Sequence, residues 1–137
     1  MLRMSTKGRY ATRIMVYLAL CDPEVPARKQ EIARAEGIPT DYVEQILTRL
    51  RTAGLVKSQR GAGGGFQLLR DPRNITVADV IRVTEGPLSL VACIDEGCDR
   101  SANCVTRSLW MEANDALVEI FSNKTIASLA REAKQKK

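Results

Sequence analysis

Apolar residues recur at helical spacing in three consecutive segments of the first half of the chain. We predict helices over three ranges, Ser5–Cys21, Ala27–Glu36 and Asp41–Ala53. Ser5 and Thr40 are favourable N-cap residues for the first and third of these helices. The buried stripe predicted for the third helix contains Val43, Ile46, Leu47 and Leu50. Two short helices joined by a tight turn indicate a helix-turn-helix.

The pattern changes from helical to alternating directly after the third helix. Leu55–Gln59 alternates like a strand, residues 61–65 form a glycine-rich turn, and Phe66–Leu69 is a returning strand. A β-hairpin that follows the second helix of a helix-turn-helix is a wing. A further helix is predicted from its cap at Thr76 to about Thr84. The fold class predicted is mainly α with a small β-hairpin wing.

The remaining third of the chain divides into a loop and two helices. Leu88–Cys104 has no periodicity and is predicted to be a loop, and a long helix follows over Val105–Ser122. Thr125 caps a last helix. The apolar stripe of the long helix is Leu109, Ala113, Ala116, Leu117 and Ile120. We therefore expect three units: a winged helix-turn-helix at 1–86, a cysteine loop at 87–104, and a long helix with a C-terminal helix at 105–137.

Composition narrows the class of protein. Of the 137 residues 45% are hydrophobic, as in ordinary globular domains, and no apolar run approaches the roughly 20 residues that a membrane span needs. No signal peptide is recognisable at the N-terminus, so a cytoplasmic location without membrane contact is expected. The chain has no histidine, which weighs against most hydrolytic and acid–base enzymes. The glycine run lacks the lysine of a phosphate-binding loop and leads into a strand, so an enzyme is not expected.

Positive charge is concentrated where a nucleic acid would bind. The net charge is +5, and residues 1–21 and 45–70 contain arginine and lysine but no acid. Such segments are typical of a surface that meets phosphate, although they can also be merely solvated faces. The residues expected to contact DNA are Thr40, Asp41, Tyr42, Glu44 and Gln45 at base edges, Arg49, Arg51 and Lys57 at phosphates, and Arg60, Gly63 and Gly64 at the wing tip, near the minor groove.

Three of the four cysteines lie in the predicted loop. Cys93, Cys98 and Cys104 have the spacing C-x4-C-x5-C, and thiolates suit iron–sulfur clusters, zinc or copper(I). The spacing is wider than in zinc ribbons, and redox-active thiols or incidental loop cysteines are the alternatives. Cys21 lies on the apolar face of the first helix, where a small buried hydrophobe is the better interpretation.

Several long stretches resemble the Rrf-two (Rrf2) family of winged-helix regulators, and its iron–sulfur cluster regulator branch, the IscR-like proteins, in particular. They are STKGRYATRIMVYLAL, IPTDYVEQILTRLRTAGLVKSQRGAGGGFQL, ITVADVIRVTEG and the segment from Cys93 to CVTRSLW. The resemblance implies base contacts by Thr40 and Glu44, minor-groove contact near Arg60, and an antiparallel homodimer through the long helix. It also implies that Cys93, Cys98 and Cys104 hold a 2Fe-2S or 4Fe-4S cluster.

One position departs from the IscR-like pattern. The family places a ligand histidine three residues after the last cysteine, and here that residue is Arg107. Arginine stays protonated and cannot ligate iron. Nitric-oxide-sensing relatives use an acidic residue near the start of the partner's first helix, but residues 7–9 here are Lys-Gly-Arg. The resemblance therefore leaves the fourth ligand and the cluster type open.

These observations predict a homodimeric transcription regulator, most simply a repressor, that binds a pseudo-palindromic operator in double-stranded DNA and senses cluster, redox or nitrosative status. One alternative is the same DNA-binding fold sensing through redox thiols or a protein partner without a cluster. A second alternative, of a different class, is a small structural zinc protein.

Overall fold

The computed structural model describes residues 3–136; Met1, Leu2 and Lys137, the ends of the predicted outer units, lie outside the described residues. Its elements, in chain order, are α1 (Thr6–Leu20), α2 (Lys29–Glu36), α3 (Thr40–Thr52), β1 (Val56–Gln59), β2 (Gly65–Leu68), a 3-10 turn (Pro72–Asn74), α4 (Val77–Glu85), α5 (Ala92–Asp95), α6 (Arg107–Asn123) and α7 (Ile126–Gln135). The fold class predicted from the sequence, mainly helical with one antiparallel hairpin, is confirmed.

Helix α1 lies at the centre of the core and packs against α2, α3, α4 and α7. The core includes eight apolar side chains of α1 and α3 that are fully or almost fully buried: Ala11, Ile14, Met15, Leu18, Val43, Ile46, Leu47 and Leu50. Burying each of the larger side chains contributes about 1.5–3 kcal/mol. This packing fixes α3 with one face inward and leaves its opposite face to the solvent.

The N-cap was predicted correctly for α1 but not for α3. Ser5 caps α1 as predicted, and its Oγ accepts the N–H of Gly8 at 3.0 Å. Thr40 does not cap α3: it is the first helical residue, and Pro39 is the N-cap. The reason is that proline holds an extended conformation here, so its carbonyl is the first to accept helical N–H groups, those of Tyr42 and Val43, each at 3.0 Å.

Strand-like pairing also extends to a residue that we expected in a helix. The helix α2 begins at Lys29, and Ala27 instead exchanges two backbone hydrogen bonds with Phe66, of 2.9 and 2.7 Å. The two wing strands pair antiparallel from Val56 opposite Leu68 to Gln59 opposite Gly65. The first strand begins one residue later than predicted and ends at Gln59 as predicted, whereas the second is shifted by one residue toward the N-terminus. The pairing with Ala27 ties the wing to the start of α2.

The start of α7 is joined to the start of α4 by backbone hydrogen bonds. Thr76 and Thr125 cap α4 and α7 as predicted, and the backbone joins them through Val77 N to Lys124 O and Ile126 N to Ile75 O, each 2.8 Å. Between them α6 packs against α4, and its Asn114 Oδ1 accepts the N–H of Leu90 at 2.8 Å. Within residues 3–136 no helix is long and apolar enough to cross a membrane.

Candidate nucleic-acid interface and cysteine loop

The outward face of α3 carries a continuous row of polar side chains. Five exposed residues line one shallow groove on this face: Asp41, Glu44, Gln45, Thr48 and Arg49. Four of them are predicted contact residues, and Thr48 is an addition that helical spacing from Glu44 and Gln45 would have shown. The groove has a carboxylate, an amide, a hydroxyl and a guanidinium along one helix, which are the groups that bind base edges and phosphates.

Glu44 has a partner on the neighbouring helix. Its Oε2 lies 3.2 Å from Nζ of Lys29 in α2, and the Glu44 side chain is 54% exposed. An exposed ion pair of this kind contributes about 0–1 kcal/mol. Glu44 can therefore exchange this partner for a base donor at small cost. The pair also orients the carboxylate in the absence of any ligand.

The other two predicted base readers lie off this face. The Tyr42 ring packs edge-to-face against Tyr10, with centroids 5.6 Å apart, and belongs to the margin of the core. Thr40 is half-buried in the first turn of α3. Neither residue lines the groove of α3. We therefore give Tyr42 a packing role and keep Thr40 as a residue at the edge of the interface.

Some of the cationic side chains near α3 are bonded to other residues of the protein, and others are not paired with an acidic side chain. Arg51 donates from Nη1 to Ser58 Oγ at 3.2 Å, so it connects α3 to β1. Arg13, from the first acid-free segment, is paired with Glu36 at 3.0 Å. Arg49, Lys57 and Arg60 are exposed and make no ion pair with another described residue. They form a cationic border along α3 and the wing.

The tip of the wing depends on three glycines with different environments. Gly64 is buried, and a Cβ there would meet the Gln59 carbonyl oxygen and lie 2.9 Å from the Arg60 carbonyl carbon. Gly65 has φ 155° and would place a Cβ 2.7 Å from the Ala27 carbonyl carbon. Gly63 is exposed with open space around it. Of the two predicted contact glycines, Gly63 faces the solvent, whereas Gly64 serves the close approach of the two strands.

A cation that sequence reasoning missed holds the wing tip. Arg28 donates from Nη2 to the carbonyl oxygen of Ala62. No local signal identifies this contact, because the two residues are 34 positions apart and meet only when the wing folds back toward α2. The side chain of Arg28 is exposed, so it adds a positive charge beside Arg60 at the tip.

The three loop cysteines lie between the winged unit and α6. Cys93 lies in the short helix α5, which interrupts the predicted loop, and is half-buried; Cys98 is exposed; Cys104 is half-buried just before α6. No group of three or more cysteine, aspartate, glutamate or histidine side chains within residues 3–136 is arranged to hold a metal ion. The thiols are therefore near one another in the chain but are not gathered into a ligand set.

The surroundings of Cys104 are polar. Its Sγ lies 3.3 Å from Thr106 Oγ1, and hydrogen bonds from Thr106 and from the Arg107 backbone lower the pKa of the Cys104 thiol. The Arg107 guanidinium points along α6 instead, with Nη1 3.1 Å from Met111 Sδ. Its Nε is buried without a partner among the described residues. Arg107 thus occupies the family's histidine position without offering a ligand atom.

Comparison with known proteins gives consistent results. The family profile described as "Rrf2: Iron-dependent Transcriptional regulator" matches residues 4–132. The HTH-type transcriptional regulator CymR of Bacillus subtilis (strain 168) is 40% identical over 94% of this chain and 90% of its own length. The HTH-type transcriptional regulator IscR of Photorhabdus laumondii is 36% identical over 93% of this chain and 79% of its own.

Solved structures agree with the sequence relatives. CymR, described as the global cysteine regulator of B. subtilis, superposes with a TM-score of 0.82 at 41% identity, covering 96% of this chain and 98% of that one. IscR of T. potens superposes with a TM-score of 0.82 at 38% identity, covering 99% of this chain and 91% of that one. Both solved structures therefore cover nearly the whole of this chain.

Proposed function

Because this chain belongs to the Rrf2 family of transcriptional regulators, we propose that it acts in the cytoplasm as a homodimer on pseudo-palindromic operators in double-stranded DNA. The observation that carries the proposal is the polar outer face of α3, which stands beside a cationic wing. In this arrangement α3 enters the major groove and the wing tip lies at the adjacent minor groove. Repression follows most simply, because a bound dimer blocks access to the promoter.

Each side chain has a role set by its chemistry. Glu44 accepts from a cytosine amine, and Gln45 pairs with an adenine edge. Arg49 and Lys57 bind phosphates, which orients the helix without reading sequence. Arg60 reaches the minor groove, whose negative potential is strongest where the groove is narrow. Asp41, in the first turn of α3, is placed to accept from a base-edge amine in the same way as Glu44.

Two substitutions on α3 separate reading from anchoring. We expect Glu44→Ala to change the preferred base at one position of each half-site by about 1–3 kcal/mol. Arg49→Ala is expected to weaken binding to all duplexes and to lower the slope of log affinity against log salt by about one per chain. The measurement is a titration of both variants with a duplex selected from a random library by the wild type, and with single-base variants of that duplex. If both substitutions lowered the affinity for all duplexes by the same factor, α3 would not lie in the major groove as proposed.

The long helix α6 supplies the surface for a second copy. It carries a row of apolar residues spaced by four, three and four positions, namely Leu109, Ala113, Ala116 and Ile120, of which all but the half-buried Ala113 are exposed. Leu109 is 53% and Ile120 60% exposed. Such a row buries itself against the same row of a second chain, as the seam of two paired helices does. An antiparallel pair of α6 helices would then set the separation of the two α3 helices.

The proposed sensor is the cysteine loop. The donor set of Cys93, Cys98 and Cys104 fits an iron–sulfur cluster chemically, because thiolates are its usual ligands. Cys98 is exposed and the loop between α5 and α6 carries no regular structure, so its backbone can close around such a group. Such a cluster would supply a redox- and nitric-oxide-reactive iron. Since Arg107 offers no ligand atom, a fourth ligand would have to come from solvent, a small thiol, an acidic side chain or a residue of the partner subunit.

Metal analysis tests the sensor. We expect the wild-type protein, purified without oxygen, to contain iron and acid-labile sulfide in equal amounts. The Cys98→Ser variant should contain little or none of either. Cys21→Ser is the matched control, because Cys21 directly follows the last residue of α1 and lies outside the loop, and it should keep the wild-type iron content. Colourless protein without iron in both the wild type and the control would reject the cluster, and one zinc per chain would favour the structural zinc alternative.

A second candidate is sensing without a cluster. It is favoured by the open arrangement of the thiols and by the similarity to CymR, which is described as a global cysteine regulator. In that case the cysteines react as thiols, or the C-terminal half binds a protein partner. The two candidates differ in visible absorbance: iron–sulfur proteins absorb between the near ultraviolet and the visible, and thiol sensors do not.

A further inference from the structure

Lys29, the first residue of α2, is a cation that the predicted contact residues do not include. Its Nζ lies 3.2 Å from Oε2 of Glu44, and the Lys29 side chain is 34% exposed. Within residues 3–136 no other ion pair joins α2 to α3. Glu44 lines the groove of α3, whereas Lys29 does not. Lys29 is therefore placed to act on the groove through the carboxylate of Glu44.

The ion pair occupies only one of the two carboxylate oxygens of Glu44. Oε2 is bound to Lys29, and Oε1 has no partner other than Lys29 among the described residues. An ionised carboxylate can accept hydrogen bonds at both oxygens. Asp41 lies one turn earlier in the same groove and has the same charge, so it offers no donor to Glu44. Glu44 can therefore keep Lys29 at Oε2 while Oε1 meets a base edge.

The contribution of Lys29 depends on the base that Glu44 meets, a step that rests on the proposed function. Opposite a cytosine amine, Oε1 gains a donor, so the carboxylate is satisfied even without Lys29. Guanine and thymine present no donor on their major-groove edges, so a carboxylate that faces them loses water and gains nothing in return. Lys29 then supplies the donor that the base lacks. The pair therefore stabilises a complex with the wrong base more than one with the right base.

The ion pair has two opposite effects on base discrimination, and their sizes decide the outcome. By orienting the carboxylate, Lys29 sharpens discrimination, but an exposed pair changes binding by at most about fivefold. By satisfying the carboxylate opposite a wrong base, Lys29 weakens discrimination. An unsatisfied acceptor at a desolvated interface lowers binding by about 5- to 150-fold, and by more when the acceptor is charged. The second effect is the larger one.

We propose that Lys29 is a specificity-determining residue that acts through Glu44 and broadens the range of bases tolerated at the position that Glu44 reads. It holds the carboxylate wherever the operator offers no donor. The first helix of a helix-turn-helix crosses the DNA backbone, so the charge of Lys29 also supports binding to every duplex. Loss of Lys29 should therefore weaken binding and sharpen base selection at the same time.

Lys29→Met tests the proposal, because methionine has a similar length and no charge. The selected duplex is compared with variants that carry guanine or thymine at the position whose preference Glu44→Ala changes. The selected duplex should bind Lys29→Met about fivefold more weakly than the wild type, as the loss of one phosphate contact predicts. The variant duplexes should lose at least about 25-fold, so that the ratio of the two affinities rises about fivefold. An unchanged or smaller ratio would overturn the proposal.

A double variant shows whether Lys29 acts through Glu44. In Lys29→Met/Glu44→Ala the affinity ratio should equal that of Glu44→Ala alone, because no carboxylate is left to satisfy. Lys29→Arg keeps the charge and should keep the wild-type ratio. If Lys29→Met raised the ratio equally in the absence of Glu44, the proposed route through the carboxylate would be wrong.

Arg34→Met is the matched control for loss of charge. Arg34 also belongs to α2, is exposed, and makes no ion pair with another described residue. This variant should keep the wild-type affinity ratio. An equal rise of the ratio in Arg34→Met would assign the effect to net charge and overturn the proposal.

The outcomes separate this proposal from the proposed function. If Glu44→Ala changed no base preference, base reading by Glu44 and the role of Lys29 would both be wrong. If Glu44→Ala changes the preference and Lys29→Met does not raise the ratio, only the role of Lys29 is wrong, and α3 remains the reading helix.

Discussion

Replacing Gly64 with alanine is expected to lower the free energy of unfolding by about 3 kcal/mol and to abolish tight DNA binding. The added Cβ would meet the carbonyl oxygen of Gln59 and lie 2.9 Å from the carbonyl carbon of Arg60, and both are backbone atoms that no side-chain rotation can move away. The hairpin must therefore open at its tip. Since the tip carries Arg60 and is held by Arg28, the wing loses its position beside α3.

The neighbouring Gly63 provides the matched control. Alanine at Gly63 meets nothing within 4 Å, so stability should change by no more than about 1 kcal/mol, and a small increase is expected from the stiffer unfolded chain. Denaturant unfolding and titration with the selected duplex measure both quantities. Equal loss of stability in the two variants would show that the wing tip is not packed as described.

Glutamate at Ile120 is expected to give a monomer whose affinity for the full operator falls by about 10²–10⁴-fold. The isoleucine is 60% exposed in the single chain, so the substitution should leave the fold of each subunit unchanged. In the proposed dimer the same side chain faces the partner's α6, where an unpaired carboxylate loses its hydration. Without the dimer each half-site binds alone, and the gain from linking two sites is lost.

Ser108→Glu adds the same charge elsewhere on α6. Ser108 is exposed and lies beside the apolar row rather than within it, so this variant should remain a dimer. Light scattering coupled to size exclusion gives the mass, and circular dichroism checks the fold. If Ile120→Glu is monomeric but keeps its affinity for the full operator, the two half-sites are not linked through the dimer. If Ile120→Glu remains a dimer, the interface does not lie on α6.

The sequence predicted the elements that depend on local periodicity. The stripe of Val43, Ile46, Leu47 and Leu50 is buried as expected, because an apolar face at helical spacing has few other ways to leave water. The hairpin was predicted from alternation and glycines. The predicted ends of helices and strands were less accurate where they depend on pairing with a distant segment. Ala27 pairs with Phe66, 39 positions away, and no residue near Ala27 indicates that contact.

The candidate interface was predicted in part for the same reason. Glu44, Gln45 and Arg49 follow from their positions on the exposed side of an amphipathic helix. The packing of Tyr42 against Tyr10 and the anchoring of the wing by Arg28 depend on how separate elements meet, which composition and spacing do not contain. The distinction between Gly63 and Gly64 likewise exists only once the strands are paired.

Dimethyl sulfate footprinting, which reports guanine N7 in the major groove and adenine N3 in the minor groove, tests the central claim most directly when it is applied to a duplex selected from a random library. We predict protection in two symmetric half-sites about one helical turn (~34 Å) or more apart, each combining a major-groove contact with an adjacent minor-groove contact. The minor-groove protection should disappear in Arg60→Ala while the major-groove protection remains. Failure to select or protect any duplex at modest salt, whether the protein is oxidised or reduced and with or without iron, would contradict the account.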